Sequence, residues 1–419
     1  MTFTAPVSTA EVRRALIERR EIALLDLRDE AAFAEAHPLF AASLPLDRLG
    51  GEVFDRIPRR TTPIVVYDDG EQLARDAIQQ LGALGYTSVA MLDGGLDGWR
   101  RSGGEIFRDV NVPSKAFGEL VEATRHTPSL AAEELKALLD AHADVVVLDA
   151  RRFDEYQTMS IPGGISVPGG ELVYRVGELA PRPDTLVVVN CAGRTRSIIG
   201  AQSLVNAGIP NRVAALRNGT IGWKLAGLTL DRGQSRRFVP VSDQRVERAR
   251  ESARAVAARA GAGRADRSIL SAWLADDSRT LYRFDVRTPE EFAAGHLAGF
   301  RSAPGGQLVQ ETDVFAPVRG ARILLVDGDG VRANMTASWL AQMAWEVYVL
   351  DDGLNGESLV IEAGHAERAS AAAAPRAKAY KRPYEGTDNP HSAMQAYLDW
   401  EYGLVAQLER DGTHGFRVV

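Results

Sequence analysis

"ISVPGGELVYRVGELAP", residues 165–181, returns as "RSAPGGQLVQETDVFAP" at residues 301–317, an offset of 136. The same offset carries "DARRFDEY" at Asp149 onto "DVRTPEEF" at Asp285, so two separated segments agree without a gap. A fainter copy lies at an offset of 123, with "DLRDEAAF" at Asp26 and Pro45 opposite Pro168; further on, at an offset of 124, "DGGLDGW" ending at Trp99 resembles "RNGTIGW" ending at Trp223. Agreement at two offsets makes the 419 residues three tandem copies of one unit.

Each copy has the same internal rhythm. "ADVVVLDA" and "TLVVVN" are short, β-branched runs of the kind that fill buried parallel strands. "SLAAEELKALLDAH" and "SIIGAQSLVNAG" place apolar residues at helical spacing, with Gly208 as a stop. Strands alternating with helices predict an α/β fold, each copy a small parallel sheet flanked by helices. The expected boundaries are 1–110 for the first unit, 118–232 for the second and 267–356 for the third. Between the first two, "RDVNVPSKAFGELVEATRHT" reads as loop with some helical character. Residues 233–266, rich in Ala and Arg, read as a solvated helical linker. Residues 357–419 read as a linker followed by an amphipathic helical tail whose docking place the sequence leaves open.

Composition narrows the function. With 45% hydrophobic and 25% charged residues the chain is an ordinary globular protein, and its formal charge of -7 argues against a nucleic-acid or anionic-membrane partner. No apolar run approaches membrane-spanning length and the N-terminus lacks a signal-peptide pattern, so a cytoplasmic location is expected. One cysteine cannot form an intramolecular disulfide. No histidine has metal-ligand spacing with cysteine or carboxylates, so neither a metal nor a cofactor is expected.

The single thiol, Cys191, stands where the strand "TLVVVN" ends and a helix begins near Thr195. Amides at a helix start lack intrahelical partners and favour an anion. Arg194 and Arg196 add positive charge, so the thiol is expected to have a lowered pKa and the loop Ala192, Gly193, Arg194, Thr195, Arg196 to cradle an anion. Arg175, after the Pro-Gly-Gly loop, is a candidate for the entrance. Asp149 and Arg151 recur in all three copies and read as a structural pair, as do Glu155 and Tyr156 as framework. Trp99 and Trp223 are expected to pack on their sheets.

The "D-x-R-x-x-x-E-[FY]" signature, the Pro-Gly loop, the strand ending in cysteine, the six-residue "CAGRTR" loop and the later Gly-Trp resemble the rhodanese superfamily over roughly residues 8–355. The resemblance implies sulfurtransferase chemistry. Cys191 would take sulfane sulfur from thiosulfate or a similar small anion, hold it as a persulfide, and pass it to cyanide or a thiol. The other copies depart from the pattern. Asp68 and Asp327 stand opposite Cys191; Glu71 and Leu73 replace Arg194 and Arg196 in the first copy, and Gly330 replaces Arg194 in the third, which keeps Arg332. These copies are expected to be inactive, with a protein partner engaged through them left open. Ser160 stands where the third copy has His296, so no catalytic histidine is expected. A scaffold or redox-sensing binding protein is the alternative. A cysteine phosphatase or arsenate reductase is disfavoured, because those families place five residues between cysteine and arginine and here there are four.

Overall fold

The computed structural model describes residues 5–70, 72–351, 353, 354, 360–364 and 380–419. Three five-stranded sheets, each with helices on its faces, form the body. In the second unit the order is Ser129–Leu130, Val213–Leu216, Leu186–Asn190, Val145–Asp149, Ile165–Ser166, all parallel. The third repeats that order with Gly263–Ala265, Glu346–Leu350, Arg322–Val326, Leu281–Asp285, Arg301–Ser302. In the first unit the opening strand shrinks to a parallel bridge between Val7 and Leu92. Its strand Ile22–Asp26 gains an antiparallel neighbour from the third unit, Val318–Arg319.

One buried ion pair fixes the same corner in every unit. Asp26, Asp149 and Asp285 end a central strand at 0–1% exposure. Each would be a costly buried charge if unpaired. The arginine two residues on folds back: Arg151 Nε and Nη2 donate to Asp149 at 2.8 and 2.7 Å, and Nη2 also donates to the carbonyl of Met159 at 2.6 Å. Arg28 and Arg287 do likewise, reaching the carbonyls of Ala36 and Gly295. The pair thus ties the strand end to the far end of the following short helix. Trp99 and Trp223 are buried against their sheets and donate to the carbonyls of Glu105 and Thr229, each at 2.9 Å.

Three connecting stretches differ from expectation. Val112–Arg125 is a continuous helix, and its first eight residues, Lys115 and Glu119 among them, are all buried. It lies between the units, with Phe117 edge-on to Trp339 of the third unit and Gly118 against Thr195 of the second. Polar residues gave it no clean apolar stripe, which is why it read as partly loop. Asp243–Ala260 is helical but not simply solvated: Ala253, Val256, Ala257 and Ala260 form a buried stripe against helices of the second and third units. Strand Gly263–Ala265 already belongs to the third sheet, so that unit starts before residue 267. The tail forms two helices, His391–Tyr402 and Leu404–Asp411, and docks on the helix Val112–Arg125. Residues 365–379 of its linker and Glu71 lie outside the described residues.

The repeated Pro-Gly-Gly loops meet each other across the second and third units. A Cβ on Gly170 would stand 2.8 Å from the backbone nitrogen of Gly306, and one on Gly306 equally close to that of Gly170. Backbone cannot yield as a side chain can, so Gly170→Ala is expected to cost about 1–3 kcal/mol by overpacking. Gly51, exposed in the helix Leu46–Arg56, has nothing within 4 Å of an added Cβ; Gly51→Ala should stabilise by about 0.4–1 kcal/mol. Equilibrium denaturation of both variants checks this, and equal effects would contradict the packing argument.

Candidate active site

The cysteine loop is built by one strand and two helix starts. Leu186–Asn190, the middle strand of its sheet, carries Cys191 just past its C-terminal end, and helix Thr195–Asn206 begins four residues later. Helix Gly219–Leu225 abuts from the side: its amides at Thr220 and Ile221 donate to the carbonyls of Cys191 and Ala192 at 2.9 and 3.0 Å. Gly219 must lack a side chain, because a Cβ would stand 2.3 Å from the Cys191 carbonyl oxygen and the backbone there has φ of 53°.

The two cysteine-less units show what the loop is shaped to hold. Asp68 accepts from the amides of Gly70 at 3.0 Å, Leu73 at 2.7 Å and Ala74 at 3.2 Å. Asp327 accepts from Gly330 at 2.9 Å and Ala333 at 2.8 Å. By the repeat offsets these amides correspond to those of Gly193, Arg194, Arg196 and Ser197. The first and third units therefore fill with a carboxyl group the concavity that the second fills with a thiol. Burial, together with the charge of Asp329, pushes Asp327 up to about 8 against the pull of its amide donors.

Cys191 itself is 1% exposed, and its Sγ donates to Ser197 Oγ at 3.4 Å, which donates on to the carbonyl of Arg194 at 2.8 Å. The expectation of a lowered pKa is overturned. Burial pushes the thiol above its ordinary value of 9.0, Glu401 adds to the rise, and Arg196 and the Ser197 donors offset only part of it. Desolvation disfavours the charged form more than the nearby cation favours it.

The two arginines also differ from their expected role. Arg194 turns out of the loop: Nε and Nη2 donate to Glu119 at 2.7 and 2.8 Å, Nη2 also meets Glu122, and the guanidinium lies over the Tyr402 ring. Its guanidinium is a counter-ion between the second unit and the preceding helix, which leaves the backbone amide as what Arg194 offers to an anion in the loop. Arg196 stays close enough to bias the thiol, yet its guanidinium is held in a two-pronged pair with Glu155 at 2.7 and 2.9 Å. Burial raises the Glu155 carboxyl, but Arg196, Arg151 and Arg152 outweigh it and leave the group at about 2. The third unit repeats this pair as Arg332 with Glu291, at 2.5 and 2.8 Å, whereas the first has lost both partners, carrying Ala32 and Leu73. Arg175 is not placed at the entrance by its contacts: it pairs with Glu171 at 2.9 Å, donates to the carbonyl of Val239 and stacks on Tyr174 and Phe238.

One cavity reaches the loop, and a second reaches Glu155, the partner of Arg196. One of about 420 Å³ lies between the second and third units and is lined by Thr195, Arg196, Arg152, Phe153, Phe238 and Trp339 among others. The other, of about 270 Å³, is lined by Glu155, Arg152, Arg48, Arg382 and Tyr384. Cys191 lines neither, because the tail covers its loop: Tyr384, Met394, Tyr397 and Leu398 form one apolar cluster with Ala192 and Ile221. Sequence reasoning missed these tail residues and Glu401. The available signal was "YLDWEY", three aromatic residues within six, too many for a solvated helix face.

The rhodanese-like domain model matches residues 8–102, 131–226 and 268–357. The chain belongs to this family. A thiosulfate sulfurtransferase from Pseudomonas aeruginosa, known from a crystal structure, is similar to this rhodanese-like chain at 53% identity with a TM-score of 0.93, over 99% of this chain and 100% of that one. An HTH-type transcriptional regulator of Mycobacterium tuberculosis is 33% identical over 90 residues, 22% of this chain and 39% of the regulator, so the match spans well under half of that protein. A putative sulfur carrier protein of Bacillus subtilis is 25% identical over 140 residues, 30% of this chain and 72% of the carrier. Among the described residues no helix is long and apolar enough to cross a membrane.

Two outcomes follow from this rhodanese-like site. Arg194→Ala leaves Glu119, 5% exposed, without its counter-charge and should cost about 3–5 kcal/mol of stability; unchanged denaturation would place Arg194 elsewhere. Alkylation of Cys191 should be slower than that of a free cysteine at neutral pH, with its rate still rising above pH 9. A rate that levels off below pH 8 would mean a thiolate of depressed pKa.

Proposed function

We propose that the protein is a rhodanese-type sulfurtransferase with one working site, Cys191, taking sulfane sulfur from thiosulfate or a similar small anion and passing it to cyanide or a thiol. The observation that carries this reading is the filling of the equivalent loops by Asp68 and Asp327. Backbone amides converge on the carboxyl groups of the first and third units, and of the three equivalent side chains only Cys191 can gain and release an atom.

The Cys191 sulfur, as thiolate, attacks the outer sulfur of thiosulfate; the S–S bond breaks and sulfite leaves with its electron pair. The new outer sulfur occupies the amide concavity, where its negative charge meets N–H groups that the sister units give to carboxyl oxygens. Cyanide then attacks that sulfur, thiocyanate departs, and the electron pair returns to Sγ. Arg196 lowers the barrier to forming the thiolate by its charge, while Glu155 holds it in place. Asp149 and Arg151 shape the corner beneath the loop without touching sulfur. Oxidant sensing is less well supported, since a reactive sensor thiol is exposed and acidic and this one is neither. The cytoplasm, where a lone thiol stays reduced, is the proposed location.

Incubation with thiosulfate should add the mass of one sulfur to the native protein, and thiocyanate should appear when cyanide is supplied. Cys191→Ser, nearly isosteric, should keep the fold and lose both. Turnover by the serine variant, or no sulfur added to the native protein, would remove Cys191 from the reaction.

A further inference from the structure

Of the three equivalent loops, the tail covers the one that bears the cysteine. Gly193, two residues after Cys191, is overlaid by the helix His391–Tyr402: a Cβ there would stand 3.2 Å from Glu401 Oε2 and 3.2 Å from Tyr397 Cε1. In the first unit the equivalent Gly70 has nothing within 4 Å of such a Cβ. Glycine at 193 is thus what lets a carboxyl group approach the loop backbone.

Glu401 is 1% exposed and only half satisfied. Its Oε1 accepts from the Tyr397 hydroxyl at 2.8 Å and lies 3.5 Å from Thr195 Oγ1. Its Oε2, the oxygen over Gly193, has no hydrogen-bond partner among the described residues. A buried carboxylate oxygen left unpaired is unfavourable unless a proton or a donor reaches it. Burial pushes the carboxyl up to about 7, so it exchanges a proton near neutrality. The groups that face it are Lys115 and Glu119 of the preceding helix, Arg194 and Thr195 of the loop, Cys191, and Tyr397 on its own helix; Asp109 and Tyr384 stand behind Lys115. Lys115 is held as a cation: burial opposes the charge, but Asp109 at 2.8 Å outweighs it.

From this arrangement we propose that Glu401 is the acid–base group for sulfur transfer to a thiol acceptor, a role that rests on the persulfide reading of Cys191. Glu401 takes the proton from the acceptor R–SH. The acceptor sulfur attacks the outer sulfur of the Cys191 persulfide, the bond between Sγ and that sulfur breaks, and its electron pair stays on Sγ. Glu401 then returns the proton to Sγ, which is a poor thiolate in this buried site. The products are R–S–S⁻ and Cys191–SH from R–SH and Cys191–S–S⁻, with no net oxidation and the carboxylate restored. The tail therefore supplies a group that none of the three repeats contains.

The test uses the full chain, loaded with thiosulfate, freed of excess donor, and discharged in single turnovers by either β-mercaptoethanol, which has a proton to lose, or sulfite, which above neutral pH has none. Glu401→Gln keeps the shape and the contact with Tyr397 but cannot take the proton. It should slow discharge to the thiol by about 100-fold or more, the usual worth of a positioned acid or base, and slow discharge to sulfite far less. The native thiol rate should rise as pH passes about 7, and that inflection should vanish in the variant. Equal slowing with both acceptors, or none with the thiol, would overturn the assignment. Failure of the native protein to load would instead overturn the sulfurtransferase reading. If only the glutamine variant fails to load, Glu401→Asp carries the test: a retained inflection supports the role, and a flat profile overturns it.

Discussion

Everything at this site depends on a supply of backbone N–H groups that must meet an acceptor. A strand that stops and a helix that starts four residues later leave amides with no partner of their own, and in a buried loop such donors are not left empty. Asp68 and Asp327 answer that demand with oxygen, permanently. Cys191 stands in the same place with a sulfur atom, a weaker hydrogen-bond acceptor than a carboxyl oxygen. On the proposed reading the side chain at this one position, in a shared loop, decides which unit can carry sulfur.

The electrostatics follow from burial. A thiol at 1% exposure beside a single biased cation does not ionise readily, and the cation in question is itself committed to a carboxylate. Strong pairing of Arg194 and Arg196 holds the loop rigid around the sulfur instead of flooding it with positive charge. Rigid placement of donors is the larger lever in a dry site, because dipoles already aimed at the developing charge need no reorganisation.

The repeat architecture was legible because duplication leaves matching spacings, and strand-forming runs such as "TLVVVN" need no tertiary context to be read. The Asp149–Arg151 pair was legible because it recurs with and without cysteine. The partners of Arg194 and Arg196 were not, since Glu119 and Glu155 lie 75 and 41 residues away. One trace was available for the second: Glu155 and Arg196 appear together in the second copy, Glu291 and Arg332 in the third, and neither in the first. Lys115, Glu119 and Glu401 gave no signal in the sequence for a related reason. Charged residues on a helix suggest a wet face, and only the other elements packed around them show that each meets a partner in the interior.

The antiparallel strand Val318–Arg319, which the third unit lends to the edge of the first sheet, gives the molecule a circular construction that its linear repeats conceal. During synthesis Ile22 and Ala23, the end of the strand that Ala41–Ser43 does not reach, wait for a partner some three hundred residues downstream, which at ordinary elongation rates is a delay of about 15–60 s. Until then the nascent chain carries an open sheet edge, the feature that invites pairing with a neighbouring chain. The first sheet thus reaches its five strands only once the third unit has been made.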